Sequence, residues 1–68
     1  MYKISKSLLG IAMLHAGVTS YKNLAEISGV SVNTVSRIIN GGSATLATIL
    51  AISKALDIEP EEIVIMED

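Results

Sequence analysis

The stretch LAEISGVSVNTVSRI, from Leu24 to Ile38, constrains the fold more than any other part of the chain. It places one glycine between two segments of helical patterning, and small or polar residues follow the glycine. Two short helices that cross at a tight turn make specific demands. An inner-face residue of the first helix must be small, because the second helix passes close above it, and Ala25 fits. Four residues later the turn must accept a positive φ, where a side chain costs about 1 kcal/mol or more; Gly29 fits. An apolar residue must then pin the turn, which Val30 can do, and Val35 and Ile38 can hold the second helix down. These five positions predict a helix-turn-helix over about residues 21–40. An ordinary αα-hairpin of a bundle also ends a helix at glycine. It does not need alanine at this offset, and its exposed face is usually rich in Glu and Lys. The outer face here is Ser31, Asn33, Thr34, Ser36, Arg37 and Asn40, with no carboxylate. Such a face can lie in a DNA major groove without repelling phosphate, and can reach base edges.

The rest of the chain reads as helix as well. Ser5 or Ser7 can cap a first helix that runs to about Ala16 and stops at Gly17. Ile4, Leu8, Ile11 and Leu14 or His15 follow helical spacing there, and Leu9 and Met13 lie off that stripe, so this helix is apolar on more than one side. Thr19 or Ser20 caps the second helix, Tyr21 to about Ser28, with Leu24, Ala25 and Ile27 as its inward residues. Ser31 caps the third, Val32 to about Asn40, with Val35, Ile38 and Ile39 inward and Gly41–Gly42 as the stop. Thr45 caps the fourth, Leu46 to Leu56, with Leu46, Ile49, Leu50, Ser53 and Leu56 on one stripe. Pro60, Glu61 and Glu62 suit the start of a short acidic helix over about 60–66, from which Ile63 and Met66 could close the core. The only alternation of period two is the four-residue IVIM, too short to decide anything. The expectation is all-α: five short helices in a single domain over residues 1–68.

Composition narrows the function. There is no cysteine and only one histidine, His15, so thiolate and histidine-cluster metal sites are excluded. No carboxylate pair lies outside the C-terminal tail, and the glycines form no phosphate-cradling loop. Nothing could assemble a nucleophile, a base and an orienting group, so an enzyme is not expected, nor is a cofactor. His15, on or near the apolar stripe, reads as a partly buried structural residue. The formal net charge of −2 hides an asymmetry. Residues 1–54 hold Lys3, Lys6, Lys22, Arg37 and Lys54 against Glu26 alone, whereas residues 55–68 hold six carboxylates and no cation. A basic body with an acidic end is compatible with a polyanion partner. The run from Leu8 to Leu14 is short for a signal peptide, and no stretch approaches the roughly 20 apolar residues that span a membrane. A cytoplasmic location without membrane contact is expected.

With these residues in order, LAEISGVSVNTVSRIINGG followed by TLATILAISKALDIEPEEI resembles the helix-turn-helix domain of Cro and the phage lambda repressor, an XRE-like family. The resemblance covers about residues 4–66. It implies a transcriptional regulator, a repressor or Cro-type switch of a phage or mobile element, that binds a double-stranded operator. It also implies that the third helix enters the major groove, with Val32, Asn33, Ser36 and Arg37 as base readers. Tyr21 and Lys22, at the start of the second helix, and Ser31, Thr34 and Asn40 would then contact phosphate. The family often has glutamine at the positions of Tyr21 and Val32, and commonly a cation on the first helix; this chain departs from it there. Surplus apolar residues, Leu9, Met13, Val64 and Met66, either pack inside or form a homodimer face in the C-terminal segment. The alternative function is an antirepressor that covers a partner repressor with its helix-turn-helix domain or the apolar first helix.

Overall fold

Each α-helix among the described residues begins at a hydroxyl residue whose side chain accepts an otherwise orphaned backbone amide. In the computed structural model, which describes residues 2–66 with the exception of the Met66 side chain, these residues are Ser5, Ser20, Ser31 and Thr45. Their oxygens accept from the amides of Leu8, Asn23, Thr34 and Thr48 at 3.3, 3.0, 3.2 and 3.2 Å. The four helices are α1 (Lys6–Ala16), α2 (Tyr21–Ser28), α3 (Val32–Ile39) and α4 (Leu46–Leu56). Gly17 and Gly29 end α1 and α2 in the left-handed region, at φ 73° and 76°. Asp57 does the same for α4 at φ 56°, a role the sequence did not announce.

The C-terminal segment corrects the sequence expectation. Among the described residues there are four α-helices, not five, and residues 60–66 are not an acidic helix. Pro60–Glu62 form a single 3-10 turn, and Val64–Met66 form a strand, β2. Its partner is β1 (Tyr2–Ile4), antiparallel, with Tyr2 opposite Met66, Lys3 opposite Ile65 and Ile4 opposite Val64. β1 is held on its other edge too, where the Ala44 amide donates to the Tyr2 carbonyl at 2.8 Å. The Ser5 amide donates to the Ile63 carbonyl at 2.8 Å, which extends the tie into the cap of α1. The first and last described elements therefore brace the loop that follows α3.

The core is aliphatic. Ile4, Leu9, Met13, Leu24, Ala25, Val35, Ile38, Ala44, Ile49, Ile52, Leu56 and Ile63 are buried, and Tyr2, Val30, Ile39 and Val64 pack against them. Each large member contributes about 1.5–3 kcal/mol by burial. Three helix faces differ from expectation. In α1 the buried residues are Leu9 and Met13, while Leu8, Ile11, Leu14 and His15 are exposed. In α2, Ile27 is exposed. In α4, Ile52 is inside and Leu46 and Leu50 are outside. These helices are apolar on several sides, so composition does not mark which side meets solvent. Leu9 and Met13 are thus core residues and not a dimer face, and His15 is not a buried structural histidine. The part assigned to the Met66 side chain lies outside the described residues.

Candidate nucleic-acid interface

The turn between α2 and α3 is built as its residue types require. Ala25 is 4% exposed, beneath the crossing. The Gly29 amide donates to the Ala25 carbonyl at 3.0 Å, and an added Cβ at Gly29 would meet no atom within 4 Å. Glycine is required there by its φ and not by crowding. Val30 is half-buried against the core, and Val35 and Ile38 are fully buried beneath α3. Ser28 adds a contact that sequence reading missed. Its hydroxyl donates to the Ala25 carbonyl at 3.4 Å and accepts from the Val30 amide at 3.3 Å, fastening the turn.

Anchored in this way, α3 presents Val32, Asn33, Ser36 and Arg37, with Asn40 at its C-cap, to solvent. At about 100° per residue these five positions fall within one arc of roughly 140°. No carboxylate lies on it. Thr34 stands at its edge, half-buried. Ser31 and Thr34 are occupied with capping: the Ser31 hydroxyl donates to Thr34 Oγ1 at 2.8 Å while accepting the Thr34 amide. The Asn40 side chain donates to the Ser36 carbonyl at 2.9 Å. Asn33 and Ser36 spend their side chains on no protein partner among the described residues. Tyr21 and Lys22 are exposed in the first turn of α2, beside the Ser20 cap.

Arg37 is braced rather than loose. Its Nη1 donates to the Ser43 carbonyl at 2.9 Å, which leaves the other guanidinium N–H groups for an outside acceptor. Gly42 makes room for this arrangement. A Cβ there would fall 2.7 Å from the Arg37 carbonyl oxygen and 2.8 Å from its Cγ. The two glycines after α3 thus differ in role. Gly41, at φ 96°, turns the chain, and Gly42 clears Arg37. The sequence had shown them only as a helix stop.

The sequence model of the Cro/C1-type HTH DNA-binding domain matches residues 9–68, most of the chain. The chain belongs to this family. It is therefore a Cro/C1-type DNA-binding domain, and DNA is its partner class. No curated protein and no solved structure matches it. Among the described residues of this Cro/C1-type domain, no helix is long and apolar enough to cross a membrane.

Proposed function

We propose that this Cro/C1-type domain is a sequence-specific transcriptional regulator, a repressor or Cro-type switch acting in the cytoplasm of a phage or mobile-element host. α3 enters the major groove of a double-stranded operator. The observation that carries this reading is the carboxylate-free arc of Val32, Asn33, Ser36 and Arg37, exposed on a helix whose opposite side is locked into the core. Asn33 offers a bidentate pair to an adenine edge. Arg37 offers one to guanine or holds a phosphate, and Val32 gives apolar contact to a thymine methyl. Each good bidentate pair contributes about 1–3 kcal/mol of discrimination. Tyr21 and Lys22 hold phosphate at the start of α2, where helix amides point outward. Ser31, Thr34 and Asn40 contact phosphate at the edges of the arc, Asn40 by exchanging its exposed bond to the Ser36 carbonyl.

A monomer with one arginine on its reading helix neutralises few phosphates, and affinity rests largely on that term. The reading therefore includes a homodimer through the C-terminal segment, placing two copies of α3 about one DNA turn apart. Exposed Leu46, which lines a groove with Pro60, Glu61 and Val64, and exposed Ile65 support it. A second reading, an antirepressor that covers a partner repressor, is favoured by the exposed aliphatic residues of α1.

Selection of bound duplexes from a random pool, followed by gel shift at low salt, tests the proposal. A consensus with two related half-sites is expected, and Asn33→Ala and Arg37→Ala should each weaken its retention while the circular dichroism stays helical. Failure to enrich or retain any duplex at low salt overturns it. Release of a repressor from its operator by a chain that itself leaves DNA unshifted supports the antirepressor.

A further inference from the structure

Helix α1 turns an unusual face to solvent. From Ser7 to Ala16 the sequence contains no Asp, Glu, Lys or Arg. The side of α1 away from the core carries Leu8, Ile11 and Leu14, which are 43%, 54% and 77% exposed. A helix packed on one side only ordinarily places charged residues on the other. Part of this surface is a shallow groove. Leu8, Ile11, Ala12 and His15 form one wall, and Ile58 and Glu62, which follow α4, form the other. Glu62 and the two chain neighbours of Ile58, Asp57 and Glu59, are exposed. None of the three carboxylates has an ion pair among the described residues. Glu62 Oε2 accepts only the Glu59 amide, at 2.8 Å. No lysine or arginine lines the groove.

We infer that this groove docks a basic amphipathic helix of a partner protein. Its apolar side chains rest on Leu8, Ile11 and Ile58, and its lysines or arginines meet Asp57, Glu59 and Glu62. Charge selects this occupant. Nucleic acid is rejected, because phosphates would approach carboxylates. A second copy brings the same Glu62, with exposed Asp57 and Glu59 close by in the chain, so a two-fold contact centred here turns carboxylate toward carboxylate. Three exposed aliphatic side chains of α1 and the half-buried Ile58 make a small patch. A helix laid in a groove and anchored by a few side chains on one face matches its size. None of the groove residues belongs to α2 or α3, so the partner and DNA engage different parts of the chain. The inference thus stands apart from which residues read DNA.

The test is a titration of the isotope-labelled full chain, followed by amide chemical shifts. The probe is a synthetic helical peptide of roughly 18 residues with leucines at i, i+3 and i+7 flanked by lysines; a control peptide has glutamates in place of the lysines. The lysine peptide should move amides of α1 and residues 57–62, and the glutamate peptide should not. Ile11→Asp and Glu59→Lys, both at exposed positions, should weaken the lysine peptide roughly tenfold or more. Raising salt from about 0.1 to about 1 M should weaken it as well. Ile11→Ser provides the same reading should the aspartate disturb the helix. Gel shift of the same variants on DNA should be unchanged. The inference is overturned by the absence of shifts in α1, by equal binding of both peptides, or by sedimentation in which Ile11→Asp converts a dimer to a monomer. Loss of DNA retention in Ile11→Asp with intact helicity overturns it too, by assigning the face to the DNA-bound assembly.

Discussion

Ser53→Ala should make the protein more stable. Ser53 lies in α4 among Ile49, Ile52 and Leu56, only 2% exposed, and its hydroxyl meets no hydrogen-bond partner among the described residues. A buried hydroxyl left unpaired costs about 1–3 kcal/mol. Alanine removes that cost and adds roughly 0.5 kcal/mol of helix propensity. Against this, loss of one oxygen leaves a void of about half the roughly 30 Å³ that a water occupies. At about 24 cal/mol per Å³ the void takes back a few tenths of a kcal/mol. The net gain is about 1–3 kcal/mol, and each kcal/mol raises the melting temperature of a domain this small by about 4–8 °C. Urea unfolding followed by circular dichroism reads the change as a shifted midpoint at constant slope. An unchanged or lowered midpoint refutes the reasoning. It would mean that the hydroxyl is satisfied in solution, by a carbonyl one turn back or by a buried water.

Three glycines give further predictions. Gly10→Ala should stabilise by about 0.5–1 kcal/mol, since Gly10 is exposed inside α1 and an added Cβ would meet nothing within 4 Å; a thermal melt checks it. Gly29→Ala should destabilise by about 1–2 kcal/mol through its φ of 76° alone, and Gly29→Val by more, as read by urea midpoints. Gly42→Ala should cost about 1–3 kcal/mol, because its Cβ would overlap the Arg37 carbonyl and displace the side chain from Ser43. The same variant should lose DNA affinity in a gel shift while α1, α2 and α4 keep their helical signal.

Much of the fold could be read from local chemistry. The caps Ser31 and Thr45 and the stops Gly17 and Gly29 fixed helix limits, because capping is decided within four residues, whereas Thr19 and Ser20 competed for one cap. The outer face of α3 was legible for a related reason: Val35 and Ile38 alternate with polar residues at helical spacing, so the two sides differ in composition. In α1 and α4 they do not. Leu8 and Leu9, or Leu50 and Ile52, are equally apolar, and only the arrangement of the other elements decides which is inside. β2 was not legible either. Its three residues are too few to show a period of two, and its hydrogen-bond partners lie at the opposite end of the sequence. Within the candidate interface the missing information was also tertiary. That Arg37 is steadied by the Ser43 carbonyl, with Gly42 giving it space, follows from how the loop folds back.

The pairing of Tyr2 with Met66 has a consequence for how the molecule is made. β1 is synthesised before any of the four helices and its partner β2 after all of them, so β1 stays unpaired along that edge until Val64–Met66 follow. Until then the strand that holds the Ala44 loop is itself secured on one edge only. Removal of Val64–Met66 should therefore loosen the loop behind α3 and weaken the hold on DNA.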